Sequence, residues 1–157
     1  MLQKKVFTGI AAGVPGDKAT LNPTAYTVHN PIAEGAGVTV GNFVWPGTDV
    51  EHQAQVGGAG APLGIVERLL VYPGACGAGD TTTLELPEGS PLSVVVKGDM
   101  YVVTQTAATV GQSVYAVTAD GTIKTDAAGQ TVSGAVETDW IVKTAGNVGD
   151  TIIISNL

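Results

Sequence analysis

The stretch Tyr115-Ala116-Val117-Thr118-Ala119-Asp120-Gly121-Thr122-Ile123 decides the fold class of this chain. Apolar and β-branched residues stand on both sides of Asp120-Gly121, a dipeptide that readily adopts the positive φ angles of a tight turn. The stretch therefore predicts a β-hairpin with one strand over residues 113–117 and the other over 122–124.

Outward from this hairpin, short β-like runs separated by glycine turns follow one another from Gly37 onward, a spacing typical of sandwiches and barrels. The 22 glycines and eight prolines interrupt nearly every stretch long enough for a helix. We therefore expect an all-β fold, either an antiparallel barrel or a sandwich. It should contain about ten short strands, over residues 38–45, 64–72, 82–86, 92–96, 100–104, 113–117, 122–124, 132–136, 140–143 and 151–155.

The chain also resembles itself at an offset of 70 residues. This offset predicts two related β-units, near residues 37–87 and 107–157, joined by the strands between them. Independent use of the same turn chemistry in both segments is the alternative. The identical residues fall in clusters, among them Thr39-Val40-Gly41 over Thr109-Val110-Gly111 and Gly79-Asp80-Thr81 over Gly149-Asp150-Thr151.

Residues 1–35 differ in character from residues 36–157, which we interpret as the β-domain. They contain three prolines and show neither a 2-residue nor a 3.6-residue apolar period. We interpret them as an extended N-terminal arm that becomes ordered when it lies on another surface. The anchors of this arm would be its apolar residues, which are Val6, Phe7, Ile10, Val14, Leu21, Tyr26 and Ile32.

The charge and composition argue against several classes of partner. A net charge of −7 has the wrong sign for neutralising phosphates, so we expect no nucleic-acid binding. The single cysteine, Cys76, excludes an intramolecular disulfide and is interpreted as inert. No segment approaches the roughly 20 apolar residues of a membrane span, so we expect a soluble protein made in a cytoplasm, without a membrane partner.

Motifs that would carry chemistry are missing from the sequence. His29 and His52 are far apart, and neither has a second ligand at helix or hairpin spacing. The glycine-rich segment 57–64 lacks the Gly-Lys-Ser/Thr ending of a phosphate loop and is interpreted as a hairpin tip. We predict no catalytic, cofactor-binding or metal-binding residue, and no enzymatic activity.

Five segments, in this order, resemble the structural cement proteins of tailed phages and prophages. The segment Gly13-Val14-Pro15-Gly16-Asp17-Lys18-Ala19-Thr20-Leu21-Asn22-Pro23 is similar to the family's N-terminal motif Gly-Val-x-Gly-Asp-x-Ala-x-x-Asn-Pro. The resemblance covers roughly residues 6–136. The other four segments are similar to successive strand motifs of the family and lie at residues 37–45, 62–68, 98–102 and 110–116.

This resemblance implies a capsid decoration protein without an active site, bound to the outer surface of an assembled head. Its partner would be the major capsid protein, whose lattice it would stabilise within the virion after synthesis in the host cytoplasm. We expect a homo-oligomer, either a trimer or a dimer. The apolar arm residues would contact the capsid or a sister subunit, and repetition of a weak contact over a lattice gives large avidity.

Two other functions stay open at this point. The first is a carbohydrate-binding β-module of a phage tail or spike, which would stack sugars on Trp45, Trp140 or Tyr72. The second is a small β-fold hydrolase, which would require a pocket with converging polar groups.

Overall fold

A computed structural model describes residues 13–69 and 84–157. These residues form an all-β fold with thirteen strands and no helix, as the sequence predicted, although the strands outnumber the ten expected. The strands are β1 (Ala25–Tyr26), β2 (Ile32–Glu34), β3 (Val38–Thr39), β4 (Phe43–Pro46), β5 (Gln53–Gln55), β6 (Gly64–Val66), β7 (Glu85–Leu86), β8 (Val94–Lys97), β9 (Asp99–Val103), β10 (Ser113–Val117), β11 (Ile123–Asp126), β12 (Ala135–Val142) and β13 (Thr151–Ser155).

Two larger sheets pack as a sandwich, so of the two predicted architectures the sandwich is correct and the barrel is not. The N-terminal sheet has the strand order β1-β8-β6-β4-β5-β2, and the C-terminal sheet has the order β11-β10-β12-β13-β9. Side chains from both sheets form one apolar core between them. The larger members of this core include Phe43, Trp45 and Ile65 from the first sheet and Met100, Ile152 and Ile154 from the second.

The central strands of the N-terminal sheet are buried on both faces, whereas β1 at its edge is exposed. Val44, Val66 and Val94 point away from the sandwich core into a second apolar cluster. The short sheet formed by β3 and β7 contributes Val38 and Leu86 to that cluster. Strands β4 and β6 therefore contain uninterrupted runs of buried residues, as strands with two covered faces do.

The C-terminal sheet is covered mainly on one face, and strands β12 and β13 show the resulting alternation, whereas β10 is buried from Ser113 to Ala116. In β12, Trp140 and Val142 are buried, whereas Asp139 and Ile141 are exposed. In β13, Ile152 and Ile154 are buried on the core side. This pattern of apolar residues inward and polar residues outward is typical of an antiparallel sheet with one solvated face.

The chain passes from one sheet to the other at Gly98. This residue separates β8 from β9 and has φ = 150°, a backbone conformation that side chains of L-residues disfavour. Asn156 fixes the crossing because its side-chain oxygen accepts a hydrogen bond from Gly98 N (2.9 Å) and its Nδ2 donates to Val96 O (2.7 Å). The Lys97-Gly98-Asp99 turn is therefore the hinge between the two layers.

The predicted hairpin is confirmed, but its turn is wider than expected. Strands β10 and β11 pair with Ala116 opposite Ile123, so several residues lie between the last paired positions. Asp120 accepts hydrogen bonds from the backbone and the hydroxyl of Thr122 (2.9 and 2.6 Å). Gly121 has a positive φ, and a Cβ atom there would collide with the carbonyl oxygen of Phe43 in the other sheet. Contact between the sheets thus shapes this turn.

Several strand boundaries differ from the prediction. The run 38–45 is two strands in different sheets, because a turn at Gly41 (φ 84°) separates β3 from β4. The runs 132–136 and 140–143 belong to the single strand β12, whose polar residues lie on the solvated face. Strands β1, β2 and β5 were missed. The outer parts of the runs 64–72 and 82–86 lie outside the described residues.

Four strands of each sheet follow the same antiparallel order. In the N-terminal sheet this order is β8-β6-β4-β5, and in the C-terminal sheet it is β13-β12-β10-β11. The register does not follow the offset of 70 residues, because Phe43 pairs with Ile65 whereas Ser113 pairs with Ile141 and not with Ala135. Strand β8 also lies outside the predicted unit 37–87. Segments of different length separate the corresponding strands. The duplication remains a proposal, which a superposition of the two four-strand sets tests.

Candidate functional site

The described part of the arm, residues 13–35, lies along the chain's own β-domain. Gly16 N donates to Tyr101 O (2.7 Å), Tyr101 N donates to Asp17 O (2.9 Å), and Ala19 N donates to Asp99 O (2.8 Å). Residues 16–19 thus run beside β9 like one more strand at the edge of the C-terminal sheet. Gly16 (φ 85°) also approaches Val40 so closely that a Cβ atom would collide with that side chain.

Two ion pairs connect the arm to the end of the N-terminal sheet. Asp17 accepts two hydrogen bonds from Arg68 (2.8 and 2.9 Å), and these bonds raise the pKa of the Arg68 guanidinium. Lys18 Nζ lies 3.3 Å from Glu67 Oε1, and Glu67 is only 5% exposed. A hydrogen bond to Tyr26, together with the charge of Glu67, raises the pKa of Lys18.

A third connection is made by Asp99 at the start of β9. Its Oδ2 accepts hydrogen bonds from Thr20 Oγ1 (2.6 Å) and Asn22 Nδ2 (2.7 Å). Burial alone would raise the pKa of Asp99, which is 8% exposed, but hydrogen bonds from Ser155, Thr20 and Asn22 outweigh burial and lower it. We call this set the arm clasp, which comprises Asp17, Lys18, Thr20 and Asn22 of the arm with Glu67, Arg68 and Asp99 of the β-domain.

The arm clasp explains what three of the family-like motifs do within the chain. The arm motif 13–23 supplies one half of the clasp, and the motifs 62–68 and 98–102 supply Glu67, Arg68 and Asp99. These polar side chains bind one another. They fix residues 16–22 on the β-domain, and they offer positioning rather than chemistry.

Four of the predicted anchor residues lie in the described part of the chain, and all four are exposed. The exposed fractions are 40% for Val14 and 41% for Ile32, with Tyr26 at 37% and Leu21 fully exposed. The other three candidates, Val6, Phe7 and Ile10, lie outside the described residues. The exposed positions are dispersed along residues 14–32 and do not converge on a pocket.

An exposed apolar groove of about 200 Å³, which was not predicted from the sequence, lies beside the arm. Val28 and Val50 are among its lining residues, and both are largely exposed. His29 and His52, far apart in sequence, come within 6.3 Å of each other, measured between ring centroids. The parallel pairing of β2 with β5 brings these segments together, and no local sequence pattern indicates that pairing.

The rings proposed as carbohydrate platforms do not present a face to solvent. Trp45 is 1% exposed and donates its indole N–H to Gly60 O (2.9 Å), and Trp140 is 4% exposed. Tyr72 lies outside the described residues. An open groove of about 460 Å³ passes the edge of Trp140, but it is lined mainly by small and aliphatic residues and by exposed charges. A stacking platform needs an exposed ring face, which neither tryptophan provides.

The described ranges contain no group of three or more histidine, cysteine, aspartate or glutamate residues that could hold a metal ion. In the same ranges, no helix is long and apolar enough to cross a membrane.

Comparison with known proteins gives matches of two kinds, to a family and to solved structures. Residues 2–156 match the structural cement protein family (E217 gp24/Pam3 gp6). The fold is similar to a chain in the solved structure entitled "The capsid of Myoviridae Phage XM1", with a TM-score of 0.64 and 19% sequence identity. That alignment covers 99% of this chain and 96% of the other. No curated protein matches the sequence. Because the family match spans almost all of its residues, the chain belongs to the structural cement protein family and has a structural role in a phage capsid.

Proposed function

We propose that this cement protein binds the outer surface of an assembled phage head and stabilises the lattice of its major capsid protein. The observation that carries the proposal is the arm clasp, together with the exposed apolar residues beside it. The clasp satisfies its own polar groups, whereas Val14, Leu21, Tyr26 and Ile32 have apolar surface exposed to solvent.

The contacts with the capsid are made by the arm. Leu21 lies between Thr20 and Asn22, whose side chains are both held by Asp99, so an exposed leucine stands on a fixed segment of backbone. Fixing a contact residue before binding reduces the entropy lost on docking. Val6, Phe7 and Ile10, which lie outside the described residues, would add further apolar contacts with the capsid.

The net charge supports the outward location. The chain carries 14 acidic and seven basic residues, so the lumen of a head filled with DNA would repel it. A cement protein synthesised in the host cytoplasm would meet the assembled shell from outside. It acts there as a homo-oligomer, either a dimer or a trimer, and without enzymatic activity.

Co-sedimentation with empty heads tests the proposal. Leu21→Ser should lower the amount of bound protein by about tenfold, because a fully exposed leucine buried on docking contributes roughly 1.5–3 kcal/mol per contact. Val110→Ser is the matched control, since Val110 is a largely exposed valine before β10. If wild-type protein fails to bind heads, or if both variants bind as well as wild type, the proposed arm contact is wrong.

A deletion of residues 1–12 also tests the proposed capsid contacts of the arm, and it disturbs the fold less than a deletion of all residues 1–35 would. The longer deletion would also remove β1, β2 and the arm half of the clasp, and it would take Ala33 out of a core cluster. Loss of binding after the shorter deletion, with thermal unfolding unchanged, is the expected result. It would assign part of the capsid contact to Val6, Phe7 and Ile10.

A further inference from the structure

Three of the four edges of the two large sheets are covered by other segments of the chain. Residues 16–19 cover β9, and Gln105 N donates to Ile123 O (2.7 Å) at the edge of β11. At the edge of β2, Ala33 N donates to Ser90 O (2.8 Å) and Ala33 O accepts from Gly89 N (2.9 Å). Covering an edge in this way prevents its free N–H and C=O groups from pairing with another chain.

The fourth edge, at β1, is uncovered within residues 13–69 and 84–157. Thr27 N donates to Val94 O (3.0 Å), and Tyr26 lies opposite Val95 in the adjacent, non-hydrogen-bonded pair. In such a pair the backbone N–H and C=O point away from the neighbouring strand. The free side of β1 therefore presents both backbone groups of Tyr26, and Ala25 and Tyr26 are exposed.

The strand segment at this edge is itself uncharged, although the ammonium of Lys18 lies 3.1 Å from the Tyr26 hydroxyl and the register with β8 shifts between Ala25 and Tyr26. Residues 19–33 contain no aspartate, glutamate, lysine or arginine, although the chain has 21 such residues in total, 14 acidic and seven basic. Charged side chains, especially lysines, are a common protection of exposed edges. Two copies with a net charge of −7 repel each other over most of their surface, but not where these neutral segments meet.

We propose that β1 pairs antiparallel with β1 of a second copy, about a twofold axis that passes beside Tyr26. The N–H of Tyr26 would donate to the carbonyl of the partner's Tyr26, and the reverse bond follows by symmetry. Strand β1 ends at Tyr26 and the chain bends at Val28. Because the N–H of Thr27 is directed at β8, the next N–H, that of Val28, would point to the free side and donate to the carbonyl of the partner's Thr24. An antiparallel pair of identical strands is isologous, so the assembly closes as a dimer. The six-stranded N-terminal sheets of both copies become one continuous sheet.

The pairing is compatible with the arm contacts proposed above, and it does not depend on them. Backbone groups pair in the plane of the sheet, whereas side chains stand out of that plane. Leu21 and Ile32 lie outside the proposed pair 24–28 and stay available for the capsid, whereas Tyr26, another predicted anchor, lies at the centre of the pair. The dimer can therefore be measured in the free protein without any capsid subunit.

Sedimentation equilibrium of the full-length chain tests the hydrogen bonds. Wild type should show a monomer–dimer equilibrium, and Val28→Pro should raise the dimer dissociation constant about tenfold or more, because it removes two intermolecular bonds. The N–H of Val28 has no hydrogen-bond partner among the described residues, so this proline leaves their bonds in place. Val28→Ala keeps the N–H and is the control. It should dimerise within about threefold of wild type. Thermal melting confirms that both variants fold.

Disulfide trapping tests the register. Antiparallel hydrogen-bonded partners have Cα atoms about 5.5 Å apart, within the range that a disulfide bridges. Tyr26→Cys in a Cys76→Ser background should therefore form a covalent dimer on mild oxidation. Val148→Cys, an exposed position near β13, should not.

A wild-type chain that stays monomeric to about 1 mM, a trimer, or a dimer unaffected by Val28→Pro would overturn the proposal. A monomer whose binding to heads is weakened by Val28→Pro would also overturn it, because the edge would then receive a capsid strand.

Discussion

The two large sheets share a strand order but differ in how they are covered. The N-terminal sheet lies between two apolar clusters, so consecutive residues such as Ile65 and Val66 are both fully buried. The C-terminal sheet has one solvated face, so burial alternates along β12 and β13. The N-terminal sheet is therefore the more heavily packed layer. The C-terminal sheet packs against the core with one face, and the arm is attached along one edge of this sheet.

This difference shows that a similar strand order can serve two purposes. A sheet covered on both faces has little surface left for partners except at its edges, and one of its edges, β1, is not covered by any of the residues that the structure describes. A sheet covered on one face keeps a polar surface, and here the polar residues Glu137 and Asp139 occupy it. The arm clasp connects the arm to both sheets, through Glu67 and Arg68 at the end of the N-terminal sheet and through Asp99 in the C-terminal sheet.

The largest loss of stability should come from replacing neighbouring side chains of each sheet by alanine. Ile65→Ala should lower the free energy of unfolding by about 2–5 kcal/mol, and Val66→Ala by about 1.5–3 kcal/mol, since each side chain leaves a cavity in a different cluster. In the C-terminal sheet, Ile152→Ala should cost about 2–5 kcal/mol but Ile153→Ala only about 1 kcal/mol or less. Urea unfolding measures all four. Equal losses at Ile152 and Ile153 would contradict the one-faced packing.

The next effect concerns the clasp at Asp99. Asp99→Ala should lower the free energy of unfolding by about 1–3 kcal/mol, because Thr20 and Asn22 lose their acceptor. Limited proteolysis should also become faster within residues 13–24. Glu88→Ala, an exposed carboxylate in the turn after β7, is the control and should change neither quantity measurably. An Asp99→Ala chain as stable and as resistant as wild type would mean that the clasp does not hold the arm.

A smaller effect is expected on the pH dependence of the free energy of unfolding, and the pKa of Asp99 determines its sign. The pKa of Asp99 is lower in the fold than its ordinary value of 3.8. The unfolded chain therefore takes up this proton at a higher pH than the folded chain does. The stabilisation by the ionised Asp99 carboxylate is fully present above pH 3.8 and is lost as the pH falls through the pKa that Asp99 has in the folded chain. Asp99→Asn should flatten the fall in unfolding free energy below about pH 4, and parallel curves for both proteins would contradict this assignment.

The smallest effect is expected at the ion pair between Asp17 and Arg68. Both side chains are about 30% exposed, so water and salt screen the pair. Arg68→Lys keeps the charge but cannot form two parallel hydrogen bonds, and it should cost about 0–1 kcal/mol. Thermal unfolding at low and high salt should show the difference shrinking as salt is added. A difference that grows with salt would indicate a role other than the ion pair.

Local features of the fold could be predicted from the sequence. The hairpin of β10 and β11 joins neighbouring residues around a glycine turn, and β13 was predicted at its observed bounds, Thr151–Ser155. Strands β1 and β2 could not be found because two or three residues are too short to show a period. Their partners, β8 and β5, are chosen by tertiary packing.

The candidate site was only partly visible for the same reason. The motif 13–23 was recognised as a unit, but Asp17 pairs with a residue 51 positions away and Asn22 with one 77 positions away. No spacing rule connects such residues. The exposed groove at Val28 and Val50 was missed because it forms only where two loops meet.

The way in which residues 16–19 lie on β9 has a mechanical consequence. Their hydrogen bonds to Tyr101 and Asp99 run across the direction of the arm, so a pull along the arm loads these bonds in shear, all at once. A pull perpendicular to β9 would open them one after another, as in a zipper. An arm bound along β9 in this way resists tension along its length far better than it resists peeling.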